Sequence, residues 1–134
     1  MVNPLLFLLF SLQQLPMQIE LSNLQPGKGQ LMVAVFNKPQ GFLNLDAAVF
    51  KQGFPVSSTN WMKLQLPIEA SGYYAISCFQ DLNNNGILDK NLLGIPTEPY
   101  AFSQNARPKF RAPSWEEAQF YYNGQSIQLK LESW

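Results

Sequence analysis

The feature that most constrains the fold of this chain is an apolar period of two. It recurs in short runs, and nowhere does a helical period replace it for more than about two turns. Met17, Ile19 and Leu21 alternate with Gln18, Glu20 and Ser22, which gives a strand one apolar face and one wet face. Leu31 to Phe36 (LMVAVF) is nearly continuous in apolar residues and suits a central strand. Pro26-Gly27-Lys28-Gly29 supplies turn residues between them, so the two runs are expected to form a hairpin. Trp61 to Leu66 alternates again until Pro67 ends it. Ser71-Gly72 leads into Tyr73 to Phe79, the most apolar strand of the second half. Gln119 to Tyr122 and Ser126 to Leu131 flank Asn123-Gly124, a strong hairpin signal that predicts a closing hairpin with Ile127, Leu129 and Leu131 inward. KPQGFLNLDAAVFKQG has turn signals at Pro39 and Gly41 and room for one helical turn around Leu45 to Phe50. Six or seven strands with frequent Gly and Pro predict an all-β fold, an antiparallel β-sandwich of about seven strands.

At 134 residues the chain is the size of one domain. We assign that domain to residues 17–134, with a long loop over 81–118. Nine basic and nine acidic residues cancel, and 13% of the chain is charged. No long-range field therefore draws in nucleic acid or an anionic membrane. The chain has no histidine, which removes the commonest general base and the commonest transition-metal ligand together. Its one cysteine, Cys78, sits in the apolar run YYAISCF without a nearby cation in sequence, and reads as a small buried hydrophobe.

Leu5 to Phe10, extended by Leu12, is an apolar run far shorter than the roughly 20 residues of a membrane-spanning helix. It has the length of a signal-peptide core, although no Lys or Arg precedes it and no small-x-small cleavage site follows. Residues 1–16 are accordingly expected to be a signal peptide. The mature chain is then exported, periplasmic or extracellular, without a transmembrane anchor.

Residues 81 to 89 read DLNNNGILD. With Asp81 as position one, Asn83 falls at three, Asn85 at five, Gly86 at six, Ile87 at seven and Asp89 at nine. These are the first nine positions of an EF-hand type of calcium loop, in which alternate side chains point inward and the position-seven carbonyl adds a ligand. The twelfth position, normally a bidentate glutamate, is Leu92. Asn91, or Glu98 after a fold-back through Gly94 and Pro96, could complete the shell. Such a site binds weakly, with a dissociation constant of order 10⁻⁴ to 10⁻³ M. The competing reading is an ion-free turn, in which Asn and Gly accept left-handed dihedrals and Asp81 bonds its own backbone.

Three stretches resemble the bacterial DUF2141 family of exported, uncharacterised proteins: GKGQLMVAVFNKPQGFL, SGYYAISCFQDLNNNGILDKNLLGIPTEPYAFSQNARPKF and APSWEEAQF. The most specific parts are Asp81-x-Asn83-x-Asn85-Gly86-x-Leu88-Asp89, Gly94-Ile95-Pro96-x-Glu98 and Asn105-Ala106-Arg107. The resemblance implies a sandwich of immunoglobulin-like or prealbumin-like character and supplies no activity. The family commonly has His before the loop Asp; this chain has Gln80, which still forms hydrogen bonds and could brace the loop. Family order also puts Glu98 and Arg107 behind the loop. It implies that Glu98 contributes to or braces the ion site and that Arg107 pairs with an acid in the same long connection.

Three functions follow. The first is a non-catalytic exported domain with a calcium-ordered loop, binding a protein or glycan at the cell surface. Tyr100, Phe102, Phe110 and Trp115 then form either a binding platform or a satellite core under the loop. The second is a structural module without an ion. The third is a hydrolase, for which Asp81 with Asp89 or Glu116 with Glu117 are the available pairs; adjacent glutamates do not face one another, and prealbumin-like hydrolases need histidines.

Overall fold

The computed structural model describes residues 15–134, so the expected signal peptide lies almost wholly outside the described residues. Eight strands form: β1 Met17–Ser22, β2 Gln30–Phe36, β3 Phe50–Pro55, β4 Met62–Leu66, β5 Gly72–Asp81, β6 Tyr100–Phe102, β7 Phe120–Tyr122 and β8 Ile127–Lys130. A one-turn helix, α1, spans Trp115–Ala118. One sheet has the order β4-β1-β8; the other has β3-β2-β5-β6, with β7 pairing the start of β5. They pack face to face as a β-sandwich. None of the described helices is long and apolar enough to cross a membrane.

The alternation of β1 appears directly in its burial: Met17, Ile19 and Leu21 are fully buried while their neighbours are partly exposed. They meet Leu31, Val33 and Val35 of β2 and Ile76 and Cys78 of β5 in the layer between the sheets. Cys78 is buried as expected, and burial pushes its thiol up to about 12, so it stays protonated and inert at neutral pH.

The continuous apolar run of β2 has a separate cause. Its other face also carries a core, in which Ala34, Phe36 and Ala75 pack against Trp115 and Ala118 of α1. Phe42 bridges the two, edge-on to Phe36 at 5.4 Å and to Trp115 at 5.8 Å. Ser114 caps α1 through a capping box with Glu117. Ser103, fully buried, ties this layer to the sheet: its hydroxyl accepts the Ile76 N–H and donates to the Ala118 carbonyl.

Both predicted hairpins are corrected. β1 pairs β4 and β8, whereas β2 pairs β3 and β5, so residues 23–29 cross between sheets. An apolar face fits either sheet, and a connection of this length spans the roughly 10 Å between them. At the other end, β7 pairs β5 while β8 pairs β1, and that last pairing is parallel. Gln125 explains why Asn123-Gly124 does not close a hairpin. Its side chain accepts the Asn123 N–H at 2.8 Å and donates to the Tyr121 carbonyl at 2.7 Å, replacing a partner strand.

Two strands lie outside the expected set. β3 is the edge strand of its sheet, and Gly53 and Pro55 break its pattern. The anticipated helical turn is a 3-10 turn at Leu45–Ala47, directly before it. β6 falls inside the long connection over 81–118, which therefore holds a strand and a helix of its own.

Candidate functional site

The Asp81 loop leaves the sheet where β5 ends, and three carboxylates, on Asp81, Asp89 and Glu98, accept hydrogen bonds from it. Asp81 is 2% exposed. Its two oxygens accept the backbone N–H groups of Asn85 at 3.2 Å and Gly86 at 2.7 Å. This pulls the chain into a tight coil, which Asn84 and Gly86 enter with left-handed φ of 56° and 80°. Asp89 closes the coil: its oxygens accept from the side-chain amides of Asn83 at 2.7 Å and Asn85 at 2.8 Å. The Oδ1 of Asn85 in turn accepts the Ile87 N–H at 3.1 Å.

Glu98 returns to the loop from the far side of a small hairpin and is 4% exposed. One oxygen accepts the Leu82 N–H at 2.7 Å, and the other accepts the Asp89 N–H at 2.9 Å. A single carboxylate thereby joins the first and last turns of the loop. Thr97 adds to the closure, its N–H and hydroxyl both donating to the Asp89 carbonyl. Asn91 is committed elsewhere, since its Oδ1 accepts from Leu93 and Ile95 within the hairpin.

The structure thus brings Asp81, Asn83, Asn85, Ile87, Asp89 and Glu98 to one loop. Arg107 makes its contacts away from that loop, and Gln80, the residue before Asp81, bonds the segment that packs on the loop's start. Gln80 is fully buried and serves the crossing between β1 and β2: its Oε1 accepts the Gln25 N–H, and its Nε2 donates to the Gln25 and Lys28 carbonyls. One acceptor and two donors are all used, a pattern an amide meets and the two ring nitrogens of a histidine do not.

For Arg107 the expected partner is corrected. The guanidinium pairs with Glu132, at 3.7 Å, beyond the long connection. It also donates to the carbonyls of Tyr100 and Glu132 and lies 4.0 Å over the Tyr100 ring. The cause is topological: Tyr100 and Glu132 exchange backbone hydrogen bonds, which joins the two sheets at this corner. Of the adjacent glutamates, Glu117 is held by Arg111 and the Ser114 cap, which keep its carboxyl down at about 2, while Glu116 is exposed.

No group of three Asp, Glu, Cys or His side chains arranged to hold a metal occurs among the described residues. Any cation in the loop would rely on neutral oxygens beside the carboxylates. The donors fit that chemistry in kind. Rotating the amides of Asn83 and Asn85 by half a turn exchanges NH₂ for oxygen at the same positions. The carboxylates of Asp81, Asp89 and Glu98 form no ion pair with any Lys or Arg of the described residues.

Gly29 is a participant that sequence reasoning passed over. It sits at φ 60°, and a Cβ there would overlap the Asp81 carbonyl. The crossing between β1 and β2 therefore presses its backbone against the start of the loop. Thr97 was likewise passed over.

No curated protein and no solved structure matches this chain. A family model does, over residues 19–130, and its description reads "Uncharacterized protein conserved in bacteria". That span takes in most of β1, all of β2 to β8 and the whole Asp81 loop, and the chain belongs to the DUF2141 family.

Proposed function

We propose that the protein is an exported, non-catalytic β-sandwich module whose loop over residues 81–98 holds a structural calcium ion. One observation carries the reading: the carboxylates of Asp81 and Glu98 are buried, and neither they nor the carboxylate of Asp89 is paired with a cationic side chain. Buried charges are costly unless a counter-charge or a metal compensates them. N–H donors satisfy these oxygens geometrically but supply no net positive charge. Each carboxylate keeps further lone pairs for a hard cation.

In this reading Asp81, Asn83, Asn85, the Ile87 carbonyl and Asp89 face the ion, and Glu98 braces both ends of the loop. The ion's role is to rigidify the long connection and the surface beside it. The ion-free alternative draws on the two asparagine amides, which already close the loop onto Asp89 by donation.

Thermal unfolding separates the two. Calcium at about 100 times its dissociation constant is expected to add about 2.7 kcal/mol over the same protein in EDTA. Asp89→Asn, which removes the most exposed of the three charges and one of the two amide bonds to that side chain, is expected to lower the EDTA midpoint somewhat and to remove most of the further gain from calcium. A midpoint that calcium does not move sinks the ion and leaves the hydrogen-bonded loop.

A further inference from the structure

Beside the Asp81 loop, the fold holds apolar side chains out into solvent. Leu92 and Leu93 are 105% and 83% exposed. They occupy the tip of a turn that is closed on every side: Asn91 N–H donates to the Ile95 carbonyl, Gly94 N–H donates to Asn91, and Asn91 Oδ1 accepts from Leu93 and Ile95. Lys90 pairs with Pro96 across its base. A loose loop could fold its leucines back onto the sandwich; this one keeps them projecting.

Leu93 lines a hollow of about 310 Å³ together with Phe110 and Trp134, whose rings are 5.5 Å apart. Phe110 is 80% exposed and has a φ of 65°. A bulky residue in the left-handed region is strained, and such strain persists where the surrounding structure imposes it. Here it accompanies a ring that is presented rather than packed.

The ionisable side chains that line this hollow and the one adjoining it are cationic, apart from Tyr100. Lys90 and Arg111 line the same hollow, Arg107 and Lys109 line the adjoining one, and no Asp or Glu lines either. Arg107 and Arg111 have acidic partners outside the hollows, Glu132 and Glu117. Lys90 and Lys109 have no ion-pair partner among the described residues. A chain of zero net charge thus carries a local basic rim around an apolar wedge.

We infer that this end of the molecule docks on an anionic lipid surface. Leu92, Leu93 and Phe110 enter the interface, Trp134 lies at headgroup depth, and Lys90 and Lys109 meet lipid phosphates. A projecting wedge with a cationic rim is complementary to a soft, negatively charged sheet. It is a poor match for a peptide that adds a strand, because β6 is already paired to β5 on one side and to Glu132 on the other. A polysaccharide bound in the hollow would leave Leu92 in water.

The test is co-sedimentation of the full chain with phosphatidylcholine vesicles, plain or doped with phosphatidylglycerol. EDTA throughout keeps the outcome independent of the calcium reading. Binding is expected only to the doped vesicles. The pair Leu92→Ser and Leu93→Ser is expected to weaken it about tenfold or more. Lys90→Glu with Lys109→Glu is expected to weaken it by at least a similar factor. Each pair changes exposed side chains only, so wild-type melting midpoints serve as the folding control. Absence of binding to the doped vesicles overturns the inference, as does binding that survives both pairs of changes. Equal competition by a soluble acidic polysaccharide that also binds the leucine variant overturns it in favour of a polyanion.

Discussion

Glu98→Ala is expected to lower the free energy of unfolding by about 3 kcal/mol, the larger part of it local to the Asp81 loop. The side chain is 4% exposed, and its two oxygens accept the N–H groups of Leu82 and Asp89, near opposite ends of the loop. Hydrogen bonds to a charged group contribute roughly 1.5 to 3 kcal/mol each, and the half-buried donors here recover part of that from water. Glu98→Gln is nearly isosteric but turns an NH₂ toward one of the two donors, so it keeps one bond and sets donor against donor at the other. Its expected loss falls only a little short of the alanine variant. Urea unfolding measures the total. Amide hydrogen exchange at Leu82 and Asp89, slow in the wild type and fast in both variants, locates it. A loss below about 1 kcal/mol in Glu98→Ala would show that the loop holds itself without the staple.

Gly29→Ala is expected to cost about as much for a different reason. At φ 60° any side chain is strained, and the new Cβ would overlap the Asp81 carbonyl, which belongs to a rigid strand end and not to a flexible side chain. Gln30 and Asp81 are register partners between β2 and β5. Relief therefore requires parting these strands where the loop begins. The expected cost is about 3 kcal/mol, combining left-handed strain of about 1 kcal/mol with an overpacking penalty of similar or greater size. Gly27, in the same connection, separates the two contributions. Its φ is 68°, but a Cβ there meets nothing within 4 Å, so Gly27→Ala is expected to cost only about 1 kcal/mol. Equal losses in the two variants would show that backbone strain alone governs the connection.

The central elements were legible because their signal is local. The alternation of β1, the apolar run of β2 and the long apolar β5 each announce a strand whatever they pair with. Partnership was not legible, because Leu21 and Leu129 look the same whether they meet in one sheet or across two. The weak strand β3 is hidden by Gly53 and Pro55, which an edge tolerates. For α1 a signal did exist: Ser114 as N-cap and Glu117 at the third helical position have capping-box spacing.

At the site, Asp81, Asn85, Gly86 and Asp89 announced a tight polar loop by their spacing alone. Their division of labour did not show, because backbone N–H groups carry no residue identity. Nothing in the letters says that Leu82 and Asp89 need an acceptor or that Glu98 supplies it. Gln80 and Arg107 were placed near the loop by sequence order, yet their partners arrive through topology. Gln80 meets Gln25 and Lys28 in the connection between β1 and β2, and Arg107 meets Glu132 through the Tyr100 pairing.

A crystal structure of the protein grown in millimolar calcium tests the calcium reading most directly. The account predicts a single ion with oxygens of Asp81, Asn83, Asn85, Asp89 and the Ile87 carbonyl at about 2.3 to 2.6 Å, with water completing a shell of six to eight. It also predicts that the amides of Asn83 and Asn85 turn their oxygens inward while Glu98 keeps its bonds to Leu82 and Asp89. A loop in which both asparagines still donate to Asp89, with no ion between them at that calcium concentration, would contradict it.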